Sequence, residues 1–133
     1  MALQNRKINP WKWQDQFGFS QAVETTGHTR VLHCSGQIAL NEDGEPQHEG
    51  DMAAQVALAM DNVEKVLDEA GMTLANVVQI NHYTTDIDKF FEAYDEVHSR
   101  LVKAGVQPAS TWLGVARLAF PPLMIEIEVT AVA

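Results

Sequence analysis

The sequence predicts an α+β fold in which two helices lie on one face of a mixed sheet, with the element order ββαβαββ. Two long segments carry apolar residues at helical spacing, and the segments around them suit extended structure bounded by turn residues. The chain has 133 residues, of which 46% are hydrophobic. A chain of this length can bury one core without disulfides, so residues 1–133 are predicted to form a single domain.

The first two strands are predicted after an N-terminal arm. Residues 1–16 show neither a helical nor a strand period, and we interpret them as an ordered arm. Residues 17–24 and 29–40 suit extended structure, and the residues between them have turn chemistry. These two segments are therefore predicted to form a hairpin.

Two helices follow, and each has recognisable ends. In residues 51–70 the apolar positions recur at steps of four and three residues and share one face. Asp51 can cap the start of this helix and Gly71 its end. Residues 86–105 repeat the arrangement, again between an aspartate and a glycine. The predicted buried faces consist of Val56, Met60, Val63, Leu67 and Ala70 in the first helix and of Phe90, Tyr94, Val97 and Leu101 in the second.

Three further strands complete the prediction. Residues 77–85 are predicted to form one strand, and residues 109–118 and 123–132 a hairpin of two more, joined by a turn that contains two prolines. The last two strands carry apolar residues at both odd and even positions, so apolar side chains lie on both faces of the sheet. The face that the helices leave free must therefore also be buried against something. The simplest cover is another copy of the chain, which predicts a closed homo-oligomer. Trp112 is interpreted as packing at that interface rather than as a stacking platform.

Composition and charge exclude several classes of protein. The 18 acidic and 9 basic residues give a net charge of −9. This charge repels phosphate backbones, so no nucleic-acid partner is expected. No segment has the apolar length of a membrane span or of a secretory signal, so no membrane partner is expected. Cys34 is the only cysteine, which favours a reducing, cytoplasmic location.

The motifs of common cofactor and metal enzymes are absent. The five histidines have no repeated ligand spacing, so neither a metal nor a cofactor is expected. Cys34 has no cationic neighbour in the sequence and is predicted to be a small buried side chain. Glu126 and Glu128 share one face of the last strand. Either they are solvated or paired with Arg117, or a carboxylate activates water in a partly desolvated cleft.

Four ordered pieces of the chain resemble the Rid family, the YjgF-like reactive intermediate deaminases that are also known as L-PSP endoribonucleases. These pieces are CSGQIAL (34–40), AMDNVEKVLDEAG (59–71), YTTDID (83–88) and VARLAFPPLMIEIE (115–128). The resemblance runs from about residue 17 to the C-terminus. It implies a chorismate-mutase-like two-layer fold and a homotrimer with a small-molecule ligand in a cleft at each subunit interface.

The resemblance also implies site residues. In deaminating members, a Pro-x-Arg-Ser segment supplies an arginine that binds the substrate carboxylate, whereas here residues 108–111 read Pro-Ala-Ser-Thr. Ser110 therefore stands at the arginine position, Trp112 at the position of a cleft cysteine, and Phe19 at that of a tyrosine. The implied substrate-binding residues are Phe19, Ser35, Gly36, Gln37, Ser110, Thr111 and Trp112, and the implied catalytic residue, linked to water activation, is Glu126.

These departures change the expected ligand. Each charge-assisted bond between an arginine and a carboxylate is worth about 1.5–3 kcal/mol, so Ser110 predicts weak binding of amino-acid-derived imines. Phe19 and Trp112 add apolar surface, which suits a less charged, planar ligand. Two functions stay open: hydrolysis of another enamine or imine with Glu126 positioning water, and binding of a metabolite without turnover. RNA cleavage ranks last because of the charge.

Overall fold

The computed structural model describes residues 1–133 and has the α+β architecture that the sequence predicts. Its strands are β1 (Gln4–Ile8), β2 (Ala22–Thr26), β3 (Val31–His33), β4 (Val77–Thr84), β5 (Ala109–Gly114) and β6 (Ile125–Val132), and its helices are α1 (Met52–Glu69), α2 (Ile87–Ala93) and α3 (Asp95–Ala104). The order is therefore βββαβααββ, with one more strand and one more helix than predicted.

Four strands form the central mixed sheet in the order β3-β6-β4-β5. β6 is antiparallel to both of its neighbours, and β5 is parallel to β4. The crossover that parallel strands require contains α2 and α3. β1 and β2 form a separate two-stranded antiparallel sheet. An isolated bridge between Ser20 and Ala109 connects the segment before β2 to the β5 edge.

The core lies between the helices and one face of the central sheet. In β6 the side chains of Ile125, Ile127 and Val129 are buried, whereas Glu126 and Glu128 alternate with them and lie on the opposite face, which we call the outer face. The predicted apolar face of α1 is confirmed, because four of its predicted members are fully buried: Val56, Met60, Val63 and Leu67. The outer face is polar in β6, because the two glutamates that the sequence places on one face of this strand lie there.

The predicted N-terminal hairpin is wrong. β2 pairs with β1, which lies inside the segment interpreted as an arm, and β3 pairs with β6. Every residue of β1 is exposed, so this strand lacks the alternation of apolar and polar residues by which a strand is usually recognised. Besides the backbone ladder, the side chains of Arg6 and Glu24 pair at 3.2 Å, and the Thr25 hydroxyl donates to the Asn5 side chain at 2.7 Å.

The second predicted helix is interrupted at Tyr94. The Tyr94 N–H donates to the carbonyl of Phe91, three residues back, which is the tighter 3₁₀ pattern. Both predicted ends are confirmed: Asp86 accepts a hydrogen bond from the Lys89 N–H at 3.0 Å, and Gly105 ends α3 with φ +74°. No helix of the fold combines the length and apolarity that crossing a bilayer requires.

The hairpin predicted for the last two strands is also wrong. β4 lies between β5 and β6 in the sheet, so these consecutive strands are not neighbours. Arg117, which follows β5, donates a hydrogen bond to the carbonyl of Leu118 at 3.3 Å and forms no ion pair. The ion pair of Arg117 with Glu126 or Glu128, one of the alternatives above, is therefore absent.

Candidate functional site

The strand register divides the predicted site residues between the two faces of the sheet. Ser110 lies beside Ile80 of β4, and Glu126 lies beside Tyr83 of β4. Ile80 is buried in the core beneath the helices, and Tyr83, an odd number of residues further on, points to the outer face. Ser110 and Trp112 therefore face the helices while Glu126 faces away, so one chain alone cannot bring them together.

Three of the predicted binding residues meet at the helix-facing side of β5. Phe19, Ser110 and Trp112, together with Phe17 and Phe91, line a cavity of about 220 Å³, which we call the aromatic cavity. None of the five carries a charge, and Ser110 supplies the only hydroxyl. Phe17 and Phe91 were not among the site residues predicted from the sequence. Phe91 follows Phe90 in the sequence but lies outside the predicted buried face of the helix. An aromatic residue at such an exposed position could have indicated that it contributes to a binding site.

Trp112 is held by aromatic rings of its own chain. Its ring centroid lies 4.6 Å from that of Phe90 and 4.7 Å from that of Tyr94, and Phe91 meets it edge-on at 5.7 Å. These tilted and edge contacts are the favourable geometries for aromatic pairs. Trp112 thus forms the wall between the core and the aromatic cavity, in addition to any contact with another subunit.

A buried histidine lies behind this wall. His82 Nδ1 lies 3.2 Å from the carbonyl oxygen of Thr111, and its Nε2 has no hydrogen-bond partner. Burial lowers the pKa of His82 to about 4, although the contact with Thr111 opposes that shift. The imidazole is therefore neutral at neutral pH. A neutral ring with Nδ1 protonated can donate to Thr111 and leaves Nε2 as a free acceptor.

The outer face carries a second group, the outer-face cluster of Glu126, Glu128, Asn81 and Tyr83. Glu128 accepts hydrogen bonds from the Asn81 amide at 3.0 Å and from the Tyr83 hydroxyl at 2.8 Å. These two bonds lower the pKa of Glu128. Burial, and next the charge of Glu128, raise the pKa of Glu126. The two carboxylates thus have different environments, which move the pKa of Glu126 up and that of Glu128 down.

Residues Ser35, Gly36 and Gln37, which we call the SGQ segment, border the outer-face cluster. A side chain on Gly36 would collide with the Glu126 carboxylate, so the glycine makes room for it. Gln37 exchanges backbone hydrogen bonds of 2.7 and 2.9 Å with Ile127, and its amide donates to the Ser35 carbonyl at 3.1 Å. Gly36, Gln37 and Glu126 are therefore close together, and Ser35 precedes them on the exposed side.

Two other predictions have clear outcomes. Thr111 is exposed and lies beside Asn81 in the register, so it borders the outer-face cluster and not the aromatic cavity. Cys34 is buried, as predicted, and burial raises the pKa of its thiol. Asn81 and Tyr83 were not predicted from the sequence, because they can be recognised only once β4 is known to pair with β6.

Comparisons with known proteins show the family to which the chain belongs. Residues 14–133 match the family model described as Endoribonuclease L-PSP. A RutC family protein of Aquifex aeolicus is 37% identical over 115 residues, which cover 86% of this chain and 86% of that protein.

Solved structures show the same fold. The crystal structure of YyfB, a Rid family protein of Yersinia pestis, is 36% identical, covers 97% of this chain and 98% of its own, and superposes with a TM-score of 0.86. Escherichia coli TdcF, solved with bound serine, is 25% identical over 86% of this chain and 87% of its own, with a TM-score of 0.70. The family match spans nearly the whole chain, and relatives in sequence and in structure agree with it, so this chain belongs to the endoribonuclease L-PSP family of RutC, YjgF and Rid proteins.

Proposed function

We propose that the chain forms a homotrimer whose clefts, each shared by two subunits, bind a small metabolite and hydrolyse an enamine or imine other than the usual amino-acid-derived ones. One observation carries the proposal. The aromatic cavity and Glu126 lie on opposite faces of one sheet, so the two groups can complete a cleft only when they come from different subunits. The number three rests on the resemblance to Rid proteins.

The chemistry assigned to Glu126 is that of a general base. Its carboxylate accepts a proton from water while the water oxygen bonds to the imine carbon, and it passes that proton to the imine nitrogen, which gives a neutral carbinolamine. Glu126 then takes the proton of the carbinolamine hydroxyl and delivers it to the nitrogen as the carbon–nitrogen bond breaks. The amine and the carbonyl product leave, and Glu126 is again a carboxylate. A pKa raised by burial and by Glu128 brings the base nearer to the working pH, which favours such catalysis. No other reactant is needed.

The substrate is expected to lack the carboxylate of the usual imines. TdcF holds serine in its crystal structure, and serine carries a carboxylate. In this chain no cation lines the aromatic cavity, so a carboxylate placed there would lose hydration without gaining a charged partner. This supports a ligand class different from that of TdcF.

Hydrolysis is tested with three imines and two variants. The N-methyl imines of acetone and benzaldehyde are compared with 2-iminopropionate, and Glu126→Gln is compared with Glu69→Gln, a matched change at an exposed position of α1. We expect the uncharged imines to be the better substrates and Glu126→Gln to reduce kcat/KM by about a hundredfold or more. Turnover of 2-iminopropionate that survives Glu126→Gln would contradict both role assignments.

A metabolite-binding trimer without turnover is the second candidate. Three residues favour it, because Ser110, Trp112 and Phe19 all depart from the deaminating members that the chain resembles. Wild-type protein that binds ligands but hydrolyses none of the three imines faster than Glu126→Gln does would favour this candidate over the hydrolase.

A further inference from the structure

We propose that the aromatic cavity binds a neutral aromatic ring and selects against the same ring bearing a carboxylate. The inference deepens the proposed function by naming the ligand class of its cleft. It rests on the composition of the wall: four of the five lining residues are aromatic, the fifth is Ser110, and none is charged.

The size of the cavity fits a ring. A cavity of roughly 150 Å³ lined by aliphatic and aromatic side chains is large enough to bind benzene. The aromatic cavity, at about 220 Å³, therefore has room for a six-membered ring with a small substituent. Its rim is open, because Phe91 is 60% exposed and Phe17 is 37% exposed. Exposed aromatic surface of this kind favours a ligand or partner that covers it.

Two of the walls, Trp112 and Phe19, are held by contacts within the chain. Trp112 packs against Phe90 and Tyr94 in the core, and Trp13 meets Phe19 edge-on with centroids 5.8 Å apart. Side chains that are already ordered lose little entropy when a ligand binds, so less of the binding energy is spent on ordering them. Ring edges and faces held at fixed angles also favour a planar ligand over a flexible aliphatic one.

The lack of charged residues in the lining favours binding of a neutral ring over an anionic one. A carboxylate inside the cavity would exchange water for phenyl and indole surface with no cation beside it, and this desolvation is strongly unfavourable. The Ser110 hydroxyl can instead hydrogen-bond to a neutral polar substituent such as an amide or a carbonyl. The net charge of −9 of the chain adds a long-range repulsion of anions.

Benzamide and benzoate test the inference because they share one ring and nearly one size but differ in charge. Binding of each to the full-length wild-type protein is measured by isothermal titration calorimetry at millimolar ligand, with acetamide as the probe that lacks a ring. We expect benzamide to bind about tenfold or more tightly than benzoate, and acetamide not to bind. Phe91→Ala should weaken benzamide several-fold, whereas Phe120→Ala, a matched change at another exposed phenylalanine, should not.

Ser110→Arg supplies the cation that the cavity lacks, and it should reverse the preference in favour of benzoate. Wild-type protein that binds benzoate as tightly as benzamide, or that binds neither, would overturn the inference. So would an equal loss of benzamide binding in Phe91→Ala and Phe120→Ala. These outcomes are independent of catalysis: loss of imine hydrolysis with benzamide binding intact would contradict the hydrolase alone.

Discussion

Gly36 and Glu126 are sterically matched: a Cβ atom on Gly36 would occupy the space of the Glu126 carboxylate. Gly36 has no left-handed backbone conformation, so the absence of a side chain, and not conformational freedom, is what the position requires. Gly36 therefore contributes to the site by leaving room for the carboxylate of Glu126, the candidate base.

Gly36→Ala tests this relationship. We expect the Glu126 side chain to rotate away, so that kcat/KM for an uncharged imine falls at least about tenfold. The free energy of unfolding should fall by no more than about 2 kcal/mol, because a surface carboxylate can move more easily than a packed core. Gly114→Ala is the control, since its Cβ would meet only Ile87, at 3.4 Å. Wild-type kinetics in Gly36→Ala would contradict the assignment.

The pH dependence of hydrolysis should follow Glu126. The base must be ionised to accept a proton, so kcat/KM rises with pH through the raised pKa of Glu126. Glu128→Gln removes the neighbouring negative charge, which should lower the pKa of Glu126 and move the acidic limb of the profile to lower pH. Burial remains as the larger cause of the shift, so the limb should move only part of the way. A profile that does not move, or moves to higher pH, would argue against this coupling.

His82 should make the fold less stable in mild acid. The pKa of His82 is about 4 in the folded chain, against 6.5 for an ordinary histidine, so the unfolded chain binds more protons between these values. The contribution of neutral His82 to the free energy of unfolding is present in full above pH 6.5. It is lost as the pH falls towards 4, by about 3 kcal/mol in total. Urea unfolding of wild type and His82→Leu between neutral pH and about pH 4 measures this loss. The variant should have the shallower dependence, and equal slopes would show that His82 does not carry the effect.

The chain should neither bind nor cleave RNA, despite the name of its family. Its net charge is −9, and Arg100 is already paired with two acidic residues, Asp61 and Glu64. The chain therefore has few free Lys or Arg side chains that could displace counterions from RNA phosphates, which is the main source of such binding. A mobility-shift assay with single-stranded RNA and with tRNA at physiological salt should show no retention. Retention that weakens as salt is raised would contradict the charge argument.

Local signals in the sequence were sufficient for α1 and β4 but not for the sheet order. Asp51 does cap α1, accepting from the Ala54 N–H at 3.1 Å, because capping depends on residues three apart. The pairing of β5 with β4 joins segments separated by α2 and α3, and no local pattern records it. The placement of Ser110 and Glu126 on opposite faces follows from that pairing, and the sequence alone could therefore identify both residues without showing that one chain cannot unite them.

The most direct test of the shared cleft is subunit mixing. Glu126→Gln removes the base, and Phe91→Asp places a charge in the aromatic cavity at an exposed position, so each variant alone should be inactive on an uncharged imine. When the two are unfolded, mixed in equal amounts and refolded together, about a quarter of the clefts should combine two intact halves, and activity should return to about that fraction of wild type. Native mass spectrometry confirms that mixed trimers have formed. Mixed trimers that remain inactive would contradict a cleft built from two subunits.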